Sequence, residues 1–257
     1  MNTGENIFQS PNNPHYSGTQ ELLDTEANLI RYSTSIVDKL YSYLELNKVV
    51  KENNGSLLEF GAGIGFLANI FYVRYNIKPT CIEISPDLVR VIRNKNFECY
   101  QYLKETTQQY EAIYSSNVLE HIVDDTETLY ELNLSLKENG MIGIYVPAHN
   151  FLFSSLDKQV GHVRRYSKNE LVVKVQNAGF KIIRIQYDDC LGFFASILIK
   201  IVGYKNKANL GNSQSLKIYD KYIYPVSRIL DNVGASKLLG KNILLIAQKI
   251  QNPIVNK

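Results

Sequence analysis

The sequence predicts an α/β fold of the doubly wound type, in which a mainly parallel sheet is covered by helices on both faces. Short apolar runs alternate with segments of helical periodicity between residues 57 and 187, and this alternation is typical of βαβ units. A glycine-rich turn at residues 61–65 follows the first apolar run and precedes a helical pattern. The length of 257 residues allows one substantial core.

Each predicted element has its own pattern along the chain. Residues 1–18 are polar and are expected to form a loose arm. Residues 19–46 have apolar side chains at helical spacing, which predicts one or two amphipathic helices. Strands are predicted in the apolar runs SLLEF, PTCIEI, FECYQYL, YEAIYSSN, MIGIYVPA and FKIIRIQY. Helices are predicted between several of them, at 64–74, 86–93, 125–137 and 168–178. Glycines in ENG (138–140) and NAG (177–179) are expected to end the last two helices.

Composition and charge argue against several classes of protein. The net charge of +3 is too small to indicate nucleic-acid binding. Three widely spaced cysteines form no CxxC pair or Cys/His cluster, so we expect reduced thiols, a cytoplasmic protein and no metal site. The first 18 residues lack the apolar core of a signal peptide. The apolar run at 191–203 contains Lys200 and is too short to span a bilayer, so we expect a soluble chain.

The glycine turn predicts a ligand site at the end of the first strand. Glu59 precedes three glycines at alternate positions, in the pattern ExGxGxG. A dinucleotide-binding turn would place its third glycine at position 66, where this chain has Phe66. Because a pyrophosphate requires open backbone amides at the helix start, the turn favours a ligand without phosphates. A tight turn that only packs helix against strand is the structural alternative.

Two further motifs follow at the ends of other strands. Glu83 ends the second strand, where a carboxylate can accept both hydrogens of a ribose diol. Its alternative is an ordinary exposed acid at a strand end. The fourth strand ends at Asn117, and the segment VLEH follows before the next helix starts.

These motifs, with LKENGMIGIYVPA, resemble the successive motifs of the class I S-adenosylmethionine-dependent methyltransferases over roughly residues 50–190. The resemblance implies a Rossmann-like sheet of seven strands with an antiparallel last strand, and S-adenosylmethionine as the cofactor, with S-adenosylhomocysteine as its product. The family usually has an Asp after the third strand, where this chain has CYQYLKETTQQY. The implied cofactor-binding residues are Glu59, Gly61, Ala62, Gly63, Gly65, Glu83, Ile84, Tyr102, Leu103, Asn117, Val118 and Leu119.

Methyl transfer depends mainly on alignment of donor and acceptor, but a hydroxyl acceptor also needs a base. His121 follows the fourth strand, and we expect either a base or a residue that fixes the loop there. His162 is a second candidate base, and Asp157 lies in the same loop, 154–171. His149 follows the fifth strand and is expected to contact the acceptor.

The loop 154–171 also carries Arg164, Arg165 and Tyr166, which are expected to bind the acceptor. The two arginines could hold a phosphate or a carboxylate. In the alternative interpretation, Asp157 pairs with an arginine and merely keeps the loop closed. The run D…GHxRRY…EL…AGF resembles a subgroup of these methyltransferases that is often associated with bacterial surface-polysaccharide and other sugar pathways, which suggests a small-molecule, sugar or lipid-linked acceptor.

The chain is expected to have four parts: an arm and helical cap (1–50), the cofactor-binding domain (51–188), a helical insertion (189–241), and the last strand with a tail (242–257). The insertion could cover the acceptor site, form a homodimer face, or lie on a membrane surface as a peripheral contact. The sequence therefore predicts a methyltransferase that most favours a hydroxyl acceptor. The alternative is a cofactor-binding accessory or scaffold protein that transfers nothing.

Overall fold

The structure is a computed structural model, and it describes residues 28–202 and 213–250. The predictions for the polar arm, for the start of the first helix and for the end of the chain lie outside the described residues.

The centre of the fold is one sheet of seven strands in the order β3-β2-β1-β4-β5-β7-β6. Strands β1 to β5 pair in parallel, whereas β7 lies antiparallel between β5 and β6. The sheet confirms the predicted doubly wound α/β fold and its antiparallel last strand. The strands are β1 (Leu57–Phe60), β2 (Thr80–Ile82), β3 (Cys99–Tyr100), β4 (Tyr110–Ser116), β5 (Leu136–Pro147), β6 (Phe180–Asp188) and β7 (Asn242–Lys249).

Helices cover the sheet on both faces. Among the described residues they are α1 (Ile30–Tyr43), α2 (Phe66–Tyr75), α3 (Pro86–Asn94), α4 (Asp125–Leu134), α5 (Ser155–Gln159), α6 (Lys168–Asn177), α7 (Cys190–Val202), α8 (Ser213–Ile218) and α9 (Tyr224–Asn232). Two short π-helical segments lie at Asn47–Glu52 and Tyr219–Ile223.

The two faces of the sheet build two apolar clusters. Successive residues of a strand point to opposite faces, so Leu58 packs in one cluster while Leu57 packs in the other. The first cluster lies under α4 and α6, and the second lies under α1. All four residues of β1 are buried, as expected for a central strand with a helix layer on each side. The carboxyl end of β1 is therefore a rigid base for the turn that follows.

One helix prediction was wrong at its end. The pattern at 125–137 predicts a helix stopped by the glycine of ENG, but α4 ends at Leu134 and β5 begins at Leu136. The pairing between β4 and β5 shifts register between Tyr110 and Ala112, and Asn139 has a φ of 62°. The ENG segment is thus an irregular stretch at the start of a long strand. The second predicted stop is confirmed, because α6 ends at Asn177 and Gly179 has a φ of 86°.

The insertion is tied to α1 by hydrogen bonds. Leu29 gives α1 no side-chain cap. The two carboxylate oxygens of Asp220 instead accept the backbone N–H groups of Arg31 and Tyr32, at 3.0 and 2.8 Å. A carboxylate at this position satisfies donors that an α-helix leaves open at its first turn. Within the described residues, no helix has the length and apolar character needed to cross a membrane.

Candidate active site

The backbone of the glycine turn between β1 and α2 favours glycine at its three glycine positions. Gly61, Gly63 and Gly65 have φ values of 78°, 57° and 74°, a left-handed region that disfavours other residues. A Cβ on Gly61 would lie 2.3 Å from Cγ2 of Val118. The backbone N–H groups of Gly61 and Ala62 both donate to the carbonyl of Ile82, at 2.9 Å. The turn is therefore held against the end of β2 and against the segment after β4.

Glu83 lies directly after β2 and supports the same turn. Its Oε2 accepts the N–H of Gly63 at 2.8 Å, and its Oε1 accepts the N–H of Ser85 at 2.9 Å. Burial raises the pKa of Glu83, and these backbone hydrogen bonds oppose the change. Each carboxylate oxygen can accept more than one hydrogen bond. The two carboxylate oxygens of Glu83 can therefore still accept hydrogen bonds from the two hydroxyl groups of a diol.

Glu59 is a buried carboxyl group one residue before the end of β1. Its side chain is 3% exposed, and its Oε2 has no hydrogen-bond partner among the described residues. Burial raises the pKa of Glu59 to about 8. A buried carboxyl with an unmet oxygen is suited to a cationic ligand group, because a nearby positive charge stabilises its ionised form.

The segment after β4 closes the other side of this site. Asn117 is exposed and has a φ of 55°, and its backbone N–H donates to the carbonyl of Tyr145 at 2.8 Å. Val118 packs against the position of Gly61, while Leu119 is fully buried. The structure thus brings the motifs after β1, β2 and β4 to the carboxyl edge of the sheet, which is where ligands of such folds bind.

The residues after β3 lie beside Ile84. Nε2 of Gln101 donates to the carbonyl of Ile84 at 2.9 Å and lies 3.4 Å from the hydroxyl of Tyr102. Leu103 starts a short 3₁₀ helix and packs against the apolar core. Tyr102 and Leu103 are therefore next to the strand that carries Glu83.

The loop after β5 is organised around Asp157, which is 1% exposed. Asp157 forms a capping box with Ser154 at the start of α5. It also contacts Nδ1 of His162 at 3.0 Å and Nε of Arg165 at 2.7 Å through the same oxygen. Burial alone would raise the pKa of Asp157, but the hydrogen bonds from His162 and Arg165 outweigh it and hold this pKa well below its usual range. Asp157 therefore holds an ionised carboxylate beneath His162.

Arg164 and Tyr166 tie the same loop to the start of α4. Nη1 of Arg164 lies 2.6 Å from Oδ2 of Asp125, and the hydroxyl of Tyr166 donates to that oxygen at 2.7 Å. Lys174 contacts the same carboxylate. Tyr166 is fully buried, and its hydroxyl also lies 3.1 Å from the carbonyl of Leu119. A cavity of about 560 Å³ adjoins Arg164 and Arg165, but no residue of the glycine turn lines it.

The fold brings His121 and His162 together although they are far apart in the sequence. Their ring centroids are 4.7 Å apart, and Glu120 lies beside them with its Oε1 at 3.8 Å from Nε2 of His162. Nδ1 of His121 lies 3.2 Å from the carbonyl oxygen of Gly161. Burial lowers the pKa of His121 to about 4. Sequence spacing showed no such cluster, and the segment VLEH was the only signal for Glu120.

His149 lies apart from this pair. Its ring stacks on Tyr187 with centroids 4.8 Å apart and also meets Phe193 at 5.0 Å. Its φ is 65°, and burial lowers its pKa. The ring of His149 thus packs mainly against aromatic side chains and connects β5 to α7.

Comparison with known proteins identifies the family. A profile described as a methyltransferase domain matches residues 31–185, which is more than half of the chain. The chain therefore belongs to the methyltransferase domain family, and the fold and cofactor motifs make it a class I S-adenosylmethionine-dependent methyltransferase. No curated protein sequence matches the chain.

Solved structures share the fold at low sequence identity. A SAM-dependent methyltransferase from Archaeoglobus fulgidus is 18% identical, with a TM-score of 0.53 over 90% of this chain and 99% of that one. Coclaurine N-methyltransferase with N-methylheliamine and SAH bound is 12% identical, with a TM-score of 0.53 over 96% of this chain and 77% of that one. The cyclase SpnF is 16% identical, with a TM-score of 0.60 over 95% of this chain and 98% of that one.

The site residues fit S-adenosylmethionine as the cofactor. A Cβ at Gly61 would meet the side chain of Val118 at 2.3 Å, so the glycine turn lies directly against the segment after β4 at this edge of the sheet. The unmet oxygen of Glu59 suits a cationic group, and Glu83 has acceptor capacity for the ribose hydroxyls. When bound, S-adenosylmethionine supplies a methyl group activated by a positively charged sulfur.

Proposed function

We propose that the protein transfers a methyl group to a hydroxyl oxygen of a small acceptor, which includes sugars and lipid-linked sugars. The observation that carries this proposal is the Asp157–His162 pair beside His121, in segments that adjoin the residues after β4. An oxygen nucleophile of ordinary acidity needs a proton acceptor, whereas many amines and thiols need less assistance. The resemblance of the loop to methyltransferases of sugar pathways supports the same class of acceptor.

In this proposal one group of residues binds the methyl donor, and a second group lies on the side where the acceptor binds. Glu59, Glu83 and the glycine turn bind the donor, with Tyr102 and Leu103 beside the adenine. Asn117, Val118 and Leu119 border the methyl group. Nε2 of His162 takes the hydroxyl proton of the acceptor, because Asp157 holds Nδ1 and thereby fixes the tautomer.

The charged residues of the loop after β5 are assigned a positioning role. The guanidinium of Arg165 is 7% exposed and contacts Asp157, and Arg164 contacts Asp125. These contacts engage donors that a phosphate or carboxylate on the acceptor would otherwise use. They support the interpretation in which the arginines and Tyr166 hold the loop shut, so that His162 keeps its place.

Turnover with labelled donor tests the proposal on nucleotide sugars, glycolipids and small hydroxylated metabolites. The His162→Gln variant should keep donor affinity and lose ~10²–10⁴-fold in rate if the imidazole takes the proton. His149→Gln is the matched control, because its ring packs on Tyr187 and Phe193 apart from the pair, and it should keep the rate that His162→Gln loses. Donor binding without transfer to any hydroxylated acceptor would favour the alternative, a cofactor-binding accessory protein.

A further inference from the structure

We propose that Glu120, His121 and His162 form a binding site for a divalent first-row transition-metal ion such as Zn²⁺. Each of the three residues offers one ligand atom, and these atoms lie within 4.8 Å of one another. Two imidazoles and one carboxylate are a ligand set used by zinc and by other first-row divalent ions. On a tetrahedral ion, three ligands leave one position open to a further molecule.

The distances are compatible with closure around an ion. Ligand atoms at ~2.0–2.1 Å from a tetrahedral ion lie about 3.3–3.5 Å apart. Oε1 of Glu120 and Nε2 of His162 are 3.8 Å apart, so a small rotation of the side chains brings them to coordination distance.

In both histidines, the ring nitrogen Nδ1 makes the kind of contact that is usual for histidines that bind a metal through the other ring nitrogen. Nδ1 of His162 lies 3.0 Å from the carboxylate of Asp157, and Nδ1 of His121 lies 3.2 Å from the carbonyl of Gly161. A carbonyl oxygen can only accept, so Nδ1 of His121 carries the proton and Nε2 carries the lone pair. Metal-binding histidines usually donate their other ring N–H to a carboxylate or a carbonyl in this way.

The backbone fixes the two ligand segments to each other. The N–H of Val163 donates to the carbonyl of Glu120 at 2.8 Å, and the N–H of His162 donates to the carbonyl of Asp157 at 2.8 Å. Glu120 is fully buried, and a buried carboxylate is stabilised by a cation close to it. The segments that carry the three ligands are thus fixed in the metal-free chain. Binding of an ion would therefore cost little conformational entropy.

The role of the ion toward the acceptor rests on the proposed function, whereas its binding does not. A bound ion lowers the pKa of a coordinated hydroxyl, so the acceptor would bind through that oxygen at the one position that three ligands leave open on a tetrahedral ion. With the ion bound, Nε2 of His162 is a ligand and the hydroxyl proton passes to solvent, whereas the base role of His162 given above belongs to the metal-free chain. The acceptor oxygen forms its bond to the methyl carbon while the methyl–sulfur bond breaks, which leaves a neutral thioether.

Metal binding to the untagged full-length chain tests the site directly. The chain is stripped with a chelator, incubated with Zn²⁺ or Co²⁺, freed of excess ion, and analysed for metal content and for the visible absorption of Co²⁺. We expect one ion per chain. His121→Gln and His162→Gln should each weaken binding by at least 10-fold, and Asp157→Asn should weaken it by about 10–100-fold through the lost outer contact.

His149→Gln is the matched control, because it removes a histidine outside the cluster and should leave metal content unchanged. Glu120→Gln is included, but the two histidine variants decide the outcome if the buried substitution impairs folding in circular dichroism. Metal content well below one ion per chain, or equal affinity in His121→Gln and the unchanged chain, overturns the site. One bound ion without transfer to any acceptor supports the site and contradicts the proposed function. Full transfer by the metal-free chain supports the proposed function and contradicts the role of the ion toward the acceptor.

Discussion

In the cofactor-free protein, Glu59→Gln should reduce the loss of folding stability that accompanies a rise in pH. The same substitution should weaken donor binding. The pKa of Glu59 is raised by burial to about 8 from an ordinary value of 4.5. Between these values the unfolded chain has lost the proton and the folded chain retains it, so stability falls as pH rises. The slope is about 1.4 kcal/mol for each pH unit, which amounts to about 3 kcal/mol between about pH 5 and about pH 7.

Urea unfolding at several pH values measures this slope without cofactor. In Glu59→Gln the contribution of this group should vanish, although the buried amide itself costs ~1–3 kcal/mol if it stays unpaired. The slope is therefore the diagnostic quantity, and the absolute stability is not. Glu127→Gln, on the exposed first turn of α4, is the matched control and should keep the slope of the unchanged chain. An unaltered slope in Glu59→Gln would refute the assignment of a protonated, buried Glu59.

Three further predictions concern the turn and the loop. Gly61→Ala should lower the free energy of unfolding by about 2–4 kcal/mol in chemical denaturation, because the φ of 78° at this position and the approach of a Cβ to Val118 at 2.3 Å both oppose a side chain. Adding Val118→Ala should restore part of this stability, and a double variant as unstable as Gly61→Ala would contradict the clash. Glu83→Ala should weaken donor binding in calorimetry by ~1.5–3 kcal/mol, and unchanged affinity would remove Glu83 from the site. Because the pKa of Asp157 is lowered in the folded protein, its ionised carboxylate stabilises the fold at pH values above about 3.9, the pKa of an Asp in the unfolded chain. This contribution is lost as the pH falls below that value. Asp157→Asn should therefore lower the melting temperature at neutral pH by more than at about pH 3, and equal losses at both values would contradict the ionised carboxylate.

The parts of the site that follow strands were predictable because they are local. A glycine turn after a buried strand and an acid at the end of the next strand are each read from a few adjacent residues. The structure places Gly61 and Glu83 together because neighbouring parallel strands end at the same edge. The doubly wound fold itself was predictable for the same reason, since strands and helices alternate with clear periodicity.

The irregular start of β5 was not predictable from local signals. A glycine after a helical pattern is a common helix stop, yet ENG lies inside the strand Leu136–Pro147. Lys137 contacts Glu111 on β4 in an ion pair. The partner strand, and not the local sequence, determines where this strand begins.

The cluster after β4 and β5 was missed because it depends on tertiary contacts. His121 and His162 come from different loops, and each is oriented by a residue of the second loop, Gly161 or Asp157. Sequence spacing detects metal ligands only when they are close along the chain. The same limit applies to α1, whose first turn is capped by Asp220 rather than by a neighbouring residue.

The position of β7 has a consequence for how the chain folds during synthesis. Among the strands that the structure describes, this one comes last in the sequence, yet it lies between β5 and β6 and pairs with both. Until residues 242–249 leave the ribosome, β6 has no strand to pair with, and β5 presents an open edge. A nascent chain of this protein therefore exposes aggregation-prone edges until β7 has been made, so we expect release by a stop codon placed before residue 242 to yield insoluble product rather than a smaller folded enzyme.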